Sequence, residues 1–266
     1  MSFRVAVFGL GEAGSEIARD LASAGADVHA FDPRDVATPP GVTRHVLAAT
    51  AVPGAELICA LTAAADAEYA IAQAISDIAP SAIYADFSTG SAGLKERLAS
   101  VAAARGLAFA DVALMAPVPG KGLRTPALVS GTGAARFADC LGSFGMPVEC
   151  CGEFAGRAAT RKLLRSVVIK GLAALLIESM EAAEAAGLAD DNWANLVEQF
   201  RAADEEFLRR IVHGTYQHAH RRHHEMEAAR DLLAELGVDP LMTRATVTSL
   251  HRIDVGQLPI VLPTAK

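Results

Sequence analysis

The chain has 266 residues, 52% hydrophobic and 21% charged, enough length and apolar content to bury a substantial core. A formal net charge of -7 gives no general attraction to phosphate backbones or anionic lipid, so neither nucleic acid nor a membrane surface is an expected partner. With aromatics at only 5%, small aliphatic residues must do most of the packing, which reads as a globular, helix-rich protein.

Strand-like and helix-like stretches alternate through roughly the first 150 residues, as a parallel sheet with crossover helices requires. Strands are expected at Phe3–Phe8, Asp27–Phe31, Glu56–Leu61, Ala82–Phe87, Ala108–Leu114 and Ala127–Ser130, with the sheet becoming mixed at its far end. Helices are expected at Glu12–Ala24, Asp66–Ile78, Ser91–Ala104 and Ala134–Phe144. After Gly152 the strand signals stop. The boundary therefore falls at 155/156, separating a Rossmann α/β domain, 1–155, from an all-α catalytic and dimerisation domain, 156–266. Its helices are expected at Ala158–Ala186, Asp191–Val212, His218–Leu236 and Pro240–Ile253, the first apolar round most of its circumference and hence buried on several sides. An Ala-rich helical domain of this kind suggests a homodimer packed across a twofold axis.

The N-terminus lacks a long apolar segment and a small-residue cleavage site, and Val167–Met180 is interrupted by Lys170 and Glu178; a cytoplasmic protein is the expectation. Cys59, Cys140 and the pair Cys150-Cys151 match neither a disulfide framework nor a zinc spacing, so buried reduced thiols are expected. His220, His224 and Glu227 have a spacing that could face a metal, but Arg221 and Arg222 beside them oppose a cation; no metal is expected.

Gly9-Leu10-Gly11-Glu12-Ala13-Gly14 follows a strand and opens a helix. Gly9 permits a tight turn, Gly11 close approach of a pyrophosphate, and Gly14 close packing of helix on strand, while the helix N-terminus supplies amide donors. Asp32, at the end of the second strand, stands eighteen positions after Gly14, where a carboxylate binds an adenosine ribose diol. The expected cofactor is NAD; Arg34 just beyond admits the 2′-phosphate of NADP as the alternative. Lys162, Ser166 and Lys170 then lie at i, i+4 and i+8 on the long helix, with Arg165 beside them, as a polar stripe among apolar residues. Lysines on a buried helix lose hydration and move toward acid-base chemistry; alternatively they snorkel to a surface.

These motifs together resemble the β-hydroxyacid dehydrogenase superfamily of 3-hydroxyisobutyrate and 6-phosphogluconate dehydrogenases, in particular a phosphogluconate-dehydrogenase-like branch carrying Arg161-Lys162-Leu-Leu-Arg165-Ser166-Val-Val-Ile-Lys170-Gly171. Asp86-Phe-Ser88-Thr89 is similar to the family's D-x-S-T, Leu61-Thr62 lies where its nicotinamide-side loop falls, and Gly156-x5-Lys162-x2-Arg165-Ser166 resembles its G-x5-K-x2-N-N helix. His224-Glu225-Met226 loosely resembles its C-terminal Lys-Asp pair. The resemblance implies Lys162 as general acid/base, Leu61, Thr62, Ser88 and His224 toward the cofactor, and Thr89, Met115, Arg165, Ser166 and Lys170 toward a small anionic substrate. It implies hydride exchange between a nicotinamide and a small β-hydroxyacid-like molecule.

Where better-known members have D-A-P-V-S-G-G, this chain has Asp111-Val-Ala-Leu-Met115-Ala116-Pro117, which loses a hydroxyl and amide donors and makes the substrate loop more apolar. Arg165 replaces an asparagine and can hold an anion from the helix. Imine reductases share this architecture but commonly replace the lysine; they, a decarboxylating dehydrogenase and a non-catalytic NAD-binding protein are the alternatives.

Overall fold

The computed structural model describes residues 2–257 and 262. The chain divides into two compact units, Met1–Arg165 and Ser166–Lys266, the division falling inside the long helix rather than ahead of it.

The first unit contains β1 (Arg4–Phe8), α1 (Glu12–Ser23), β2 (Asp27–Phe31), β3 (Val42–His45), α2 (Ala48–Ala51), β4 (Leu57–Ala60), α3 (Ala67–Ala72), β5 (Ile83–Asp86), α4 (Ala92–Ala103), β6 (Ala108–Leu114), β7 (Ala127–Ser130), α5 (Ala134–Ser143) and β8 (Val148–Cys150). The strands form one sheet in the order β3-β2-β1-β4-β5-β6-β7-β8. All neighbours are parallel except β6 and β7, so the sheet is mixed at its far end as its sequence suggested.

Helices cover both faces, which is why β4 (LICA) and β5 (IYAD) are buried at every position and alternate very little in polarity. One core joins Val5, Val7, Ile17, Leu21, Phe137 and Leu141. The other joins Phe8, Ile71, Tyr84, Leu98 and Phe109. Each large side chain so buried contributes roughly 1.5–3 kcal/mol relative to exposure. From β1 the chain first builds β2 and β3 on one side and then returns to place β4 on the other. That reversal opens a crevice at the carboxyl ends of β1 and β4.

The long helix α6 (Arg157–Ala185) runs from the first unit into the second, followed by α7 (Ala189–Arg201), α8 (Glu205–Gln217), α9 (Ala219–Glu235) and α10 (Leu241–Asp254). A small core of Ala182, Leu233 and Val238 holds the second unit. Buried Glu178 accepts from Met242 N, from Thr243 N at 2.8 Å and from Thr243 Oγ1 at 2.7 Å, which satisfies the first amides of α10.

Several expectations require correction. The helix expected over Asp191–Val212 is two helices, because Asp204 caps α8 by accepting from Phe207 N at 2.9 Å, and the chain turns between Arg201 and Glu205. The helix expected over Asp66–Ile78 shrinks to a 3-10 turn, Ala64–Asp66, and α3. Strands β3 and β8 and helix α2 were not expected: β3 reads VTRH, with too little apolar alternation to register, and β8 has three residues. The long helix is not buried on several sides within the chain, for Val167 (72%), Val168 (65%) and Ile177 (68%) are exposed. Of the cysteines only Cys59 is buried; Cys150 is exposed, because it ends the edge strand β8. Among the described residues no helix is long and apolar enough to cross a membrane.

Candidate active site

The crevice begins at Gly9, whose φ of +92° turns the chain out of β1; a Cβ there would stand 2.4 Å from Leu61 O. A Cβ on Gly14 would meet Gly9 O at 1.9 Å, so helix and turn touch through backbone alone. Gly11 differs, since a Cβ there would meet only the tip of Arg34, at 3.7 Å. Packing does not demand glycine at that position, and its absent side chain leaves room for a bulky anion over the loop. Helix α1 starts immediately after Gly11 with no side-chain cap, so the amides of Glu12, Ala13 and Gly14 are left to a ligand or water.

Asp32 ends β2 with its carboxylate buried. Its Oδ2 accepts from Leu10 N at 2.8 Å and from Arg34 Nη2 at 3.0 Å; its Oδ1 accepts from Arg34 N at 2.9 Å and Nε at 3.1 Å. Burial raises the carboxyl, yet the hydrogen bonds from Arg34 and Leu10 outweigh it and hold Asp32 below its ordinary value. Beside this pair a cavity of roughly 440 Å³ is lined by Asp32, Arg34, Leu61, Thr62, Tyr69 and Gln73 among others. Thr62 Oγ1 is buried there with no hydrogen-bond partner. A cradle without side chains, uncapped helix amides and an unmatched hydroxyl fit a dinucleotide. Tyr69 and Gln73 were missed by sequence reasoning because they look like ordinary helix residues.

The D-x-S-T segment leaves the carboxyl end of β5. Ser88 is buried and donates to Asp86 Oδ2 at 2.7 Å, so its hydroxyl hydrogen is turned inward. Thr89 is exposed, and its Oγ1 accepts from Lys162 Nζ at 2.9 Å. Met115, in the loop after β6, accepts through its carbonyl from Arg165 Nη1 at 2.6 Å. The first turns of α6 thus bring Lys162 to the loop after β5 and Arg165 to the loop after β6. Lys162 is half-buried rather than deeply so, and the helix around it is not buried as the sequence led one to expect.

Ser166 and Lys170 lie further along α6 in the second unit, Ser166 half-buried and Lys170 exposed. His224, on α9, is exposed, with Nδ1 at 2.9 Å from Glu227 Oε2. His223, His224 and Glu227 bring ligand-type atoms within 4.8 Å of one another, whereas His220 pairs with Asp254 at 3.1 Å. These imidazole–carboxylate contacts are themselves a sufficient reason for the clustering.

Beneath the two loops lies a charged cluster with no exposure. Asp86 and Asp111 are register partners on β5 and β6. Lys95, from α4, reaches Asp86 Oδ2 at 2.5 Å and Asp111 Oδ1 at 3.3 Å, and donates to Asp86 O at 3.0 Å. Asp111 Oδ2 also accepts from Gly156 N and Ala159 N, both at 3.0 Å, and from Ser130 Oγ at 3.1 Å; Ser130 Oγ in turn accepts from Ala158 N at 3.0 Å. Two carboxylates face one ammonium, and the amides opening α6 supply the remaining positive end, worth up to ~2 kcal/mol for a partly buried charge at a helix terminus. Removing one member of such a buried pair costs about 3–5 kcal/mol. Burial and the charge of Asp86 together push Tyr84 well above its ordinary value. Sequence reasoning passed over Lys95, although its position carried a signal: it occupies the buried face of α4 with Leu94, Leu98 and Ala102, where an apolar residue is expected.

Residues 4–138 match the family model described as the NAD binding domain of 6-phosphogluconate dehydrogenase, and residues 183–253 match a domain of unknown function, DUF1932. An uncharacterized 28.5 kDa protein of Methanothermus fervidus is 31% identical over 114 residues, 43% of this chain; the match spans under half, 45%, of that relative's length. A conserved hypothetical protein from Sinorhizobium meliloti 1021 is 30% identical, with a TM-score of 0.62 over 94% of this chain and 88% of that one. A conserved protein of unknown function, its structure described as similar to 3-hydroxyacid dehydrogenases, is 26% identical, with a TM-score of 0.61 over 95% and 97% of the two chains. An imine reductase variant from Myxococcus stipitatus, solved with NAD+, is 14% identical, with a TM-score of 0.80 over 97% and 96%, a likeness of fold alone.

Proposed function

Because the chain belongs to the family built on the NAD binding domain of 6-phosphogluconate dehydrogenase, we propose that it oxidises a small anionic, β-hydroxyacid-like substrate reversibly, with Lys162 as general acid/base. The observation that carries this reading is the Lys162–Thr89 contact of 2.9 Å. It sets an amine against the loop leaving β5, a strand whose carboxyl end lies on the same edge of the sheet as Gly9 and Thr62.

A bound nicotinamide supplies the hydride acceptor. Lys162, as the neutral amine, takes the hydroxyl proton of the substrate as the carbinol hydride departs; the hydroxyl carbon becomes a carbonyl, and the resulting ammonium returns the proton in the reverse direction. Thr89 Oγ1, by accepting from Nζ, aims the amine. Arg165 is the fixed cation for the substrate anion, exchanging its bond to the Met115 carbonyl for a carboxylate or phosphate. Met115 and Pro117 leave the loop with few donors, which suits a substrate held mainly by Arg165. Ser166, Lys170 and His224, all in the second unit, enter the proposal on the family resemblance alone. The exposed apolar face of α6 supports a homodimer.

The test is a panel of β-hydroxyacids with NAD+ or NADP+, followed by absorbance of the reduced cofactor, with ketones plus amines and reduced cofactor as the competing assay. Lys162→Ala should lower kcat by roughly 10²–10⁴-fold while cofactor affinity holds. Full turnover by Lys162→Ala, or activity on imines alone, would sink the assignment.

A further inference from the structure

Of the buried charges in the first unit, Lys95, Asp86 and Asp111 have no part in the reaction as proposed, yet they touch both of the segments that create it. From Asp86 the connection runs through Ser88 Oγ, at 2.7 Å, to the residue adjoining Thr89. From Asp111 it runs to Gly156 N and Ala159 N, at 3.0 Å each, and Lys162 stands one helical turn beyond Ala159. Ser130 adds a third tie by accepting from Ala158 N at 3.0 Å. Lys95, with no exposure, links the two carboxylates and so joins the loop to the helix.

We infer that Lys95, with Asp86, Asp111 and Ser130, positions the Lys162 amine against Thr89, so that this buried cluster governs the reactivity of Lys162 without touching substrate or cofactor. The inference rests on the acid/base reading of Lys162 for its catalytic consequence, but the positioning itself has an independent readout. A purely structural role for so many buried charges predicts lost stability and nothing specific to one lysine. Positioning predicts that the environment of Lys162 changes while the rest of the protein remains native. Each carboxylate meets a positive partner through its Oδ2, Lys95 for Asp86 and the opening amides of α6 for Asp111, while Oδ1 of each is buried without a hydrogen bond.

The experiment measures acetylation of each lysine by acetic anhydride against pH, read by peptide mass mapping, with exposed Lys121 and Lys170 as internal references. Lys95→Met alone strands two buried carboxylates and is expected to fold poorly. The variants used are therefore Lys95→Met with Asp86→Asn, which removes one charge of each sign, and Ser130→Ala, which keeps every charge and deletes the Ser130 bonds to Asp111 and to the Ala158 amide of α6. In variants with native circular dichroism, Lys162 should label several-fold faster and with a shifted pH midpoint, Lys121 and Lys170 remaining unchanged. With a turned-over substrate, kcat should fall by about a hundredfold in the double variant, the scale of a 1 Å misplacement, with little change in KM. Unaltered Lys162 labelling in either natively folded variant overturns the inference. Failure of the double variant to fold leaves Ser130→Ala to decide it. Should Lys162→Ala prove fully active, the acid/base reading falls, while the labelling result still decides the positioning.

Discussion

Asp32 and Arg34 stand at the end of β2 as a pair rather than as a lone carboxylate. Asp32 uses both oxygens on Leu10 and Arg34, and it stays ionised because those donors outweigh its burial. The guanidinium is largely exposed and lies 3.7 Å from where a Gly11 Cβ would be, while it bonds both oxygens of the buried Asp32. Arg34→Ala should lower the affinity for NADP+ by about tenfold, the worth of a charge-assisted hydrogen bond, and leave NAD+ binding within about twofold. Tryptophan-independent cofactor titration, for instance calorimetry, measures both. Equal losses for the two nucleotides would make Arg34 a prop for Asp32 instead of a selector.

At the scale of elements, helix ends decide where the second unit turns. Asp204 separates α7 from α8, and Glu178 seats the start of α10 by taking its first amides. Burial raises the Glu178 carboxyl, but the Thr243 hydroxyl, the Met242 and Thr243 amides and the charge of Arg244 outweigh it, so it titrates below its ordinary 4.5. A carboxyl depressed on folding adds stability that is complete above the unfolded value and is lost as pH falls through the folded one. Glu178→Ala should therefore cost about 2 kcal/mol at neutral pH, where it strands amides and a hydroxyl. The difference from wild type should narrow as pH drops below 4.5, as followed by urea unfolding. A difference that persists unchanged into acid would mean that packing, not the charge, holds this helix start.

For the whole molecule, the exposed Val167, Val168 and Ile177 of α6 leave apolar surface uncovered, as do Leu208 and Ile211 of α8 and Trp193 and Phe200 of α7. A face of this kind in a monomer is an aggregation hazard, and a second copy is the simplest cover. Sedimentation should give twice 27.7 kDa at micromolar concentration, and Val168→Arg should shift the protein toward monomer. A wild-type monomer under those conditions would remove the dimer from the proposal.

The glycine turn, the strand end at Asp32 and the alternation of strand and helix were legible in the amino-acid order, because each depends on local geometry: a positive φ, a strand end, a period of two or 3.6. Local pattern also misled where only partners in space decide the outcome. The apolar circumference of α6 predicted burial, but apolarity states a demand for cover and does not say whether the same chain supplies it. Polar β3 was invisible because its place at a sheet edge comes from hydrogen bonds to β2 rather than from hydrophobic alternation. Lys95 stood in the sequence as a lone charge at a core position, and only the tertiary structure showed it joining carboxylates on β5 and β6. Sequence by itself pointed to the cofactor fold; that Lys162 meets Thr89, 73 positions away, was decided by the tertiary structure, since no local period records such a contact.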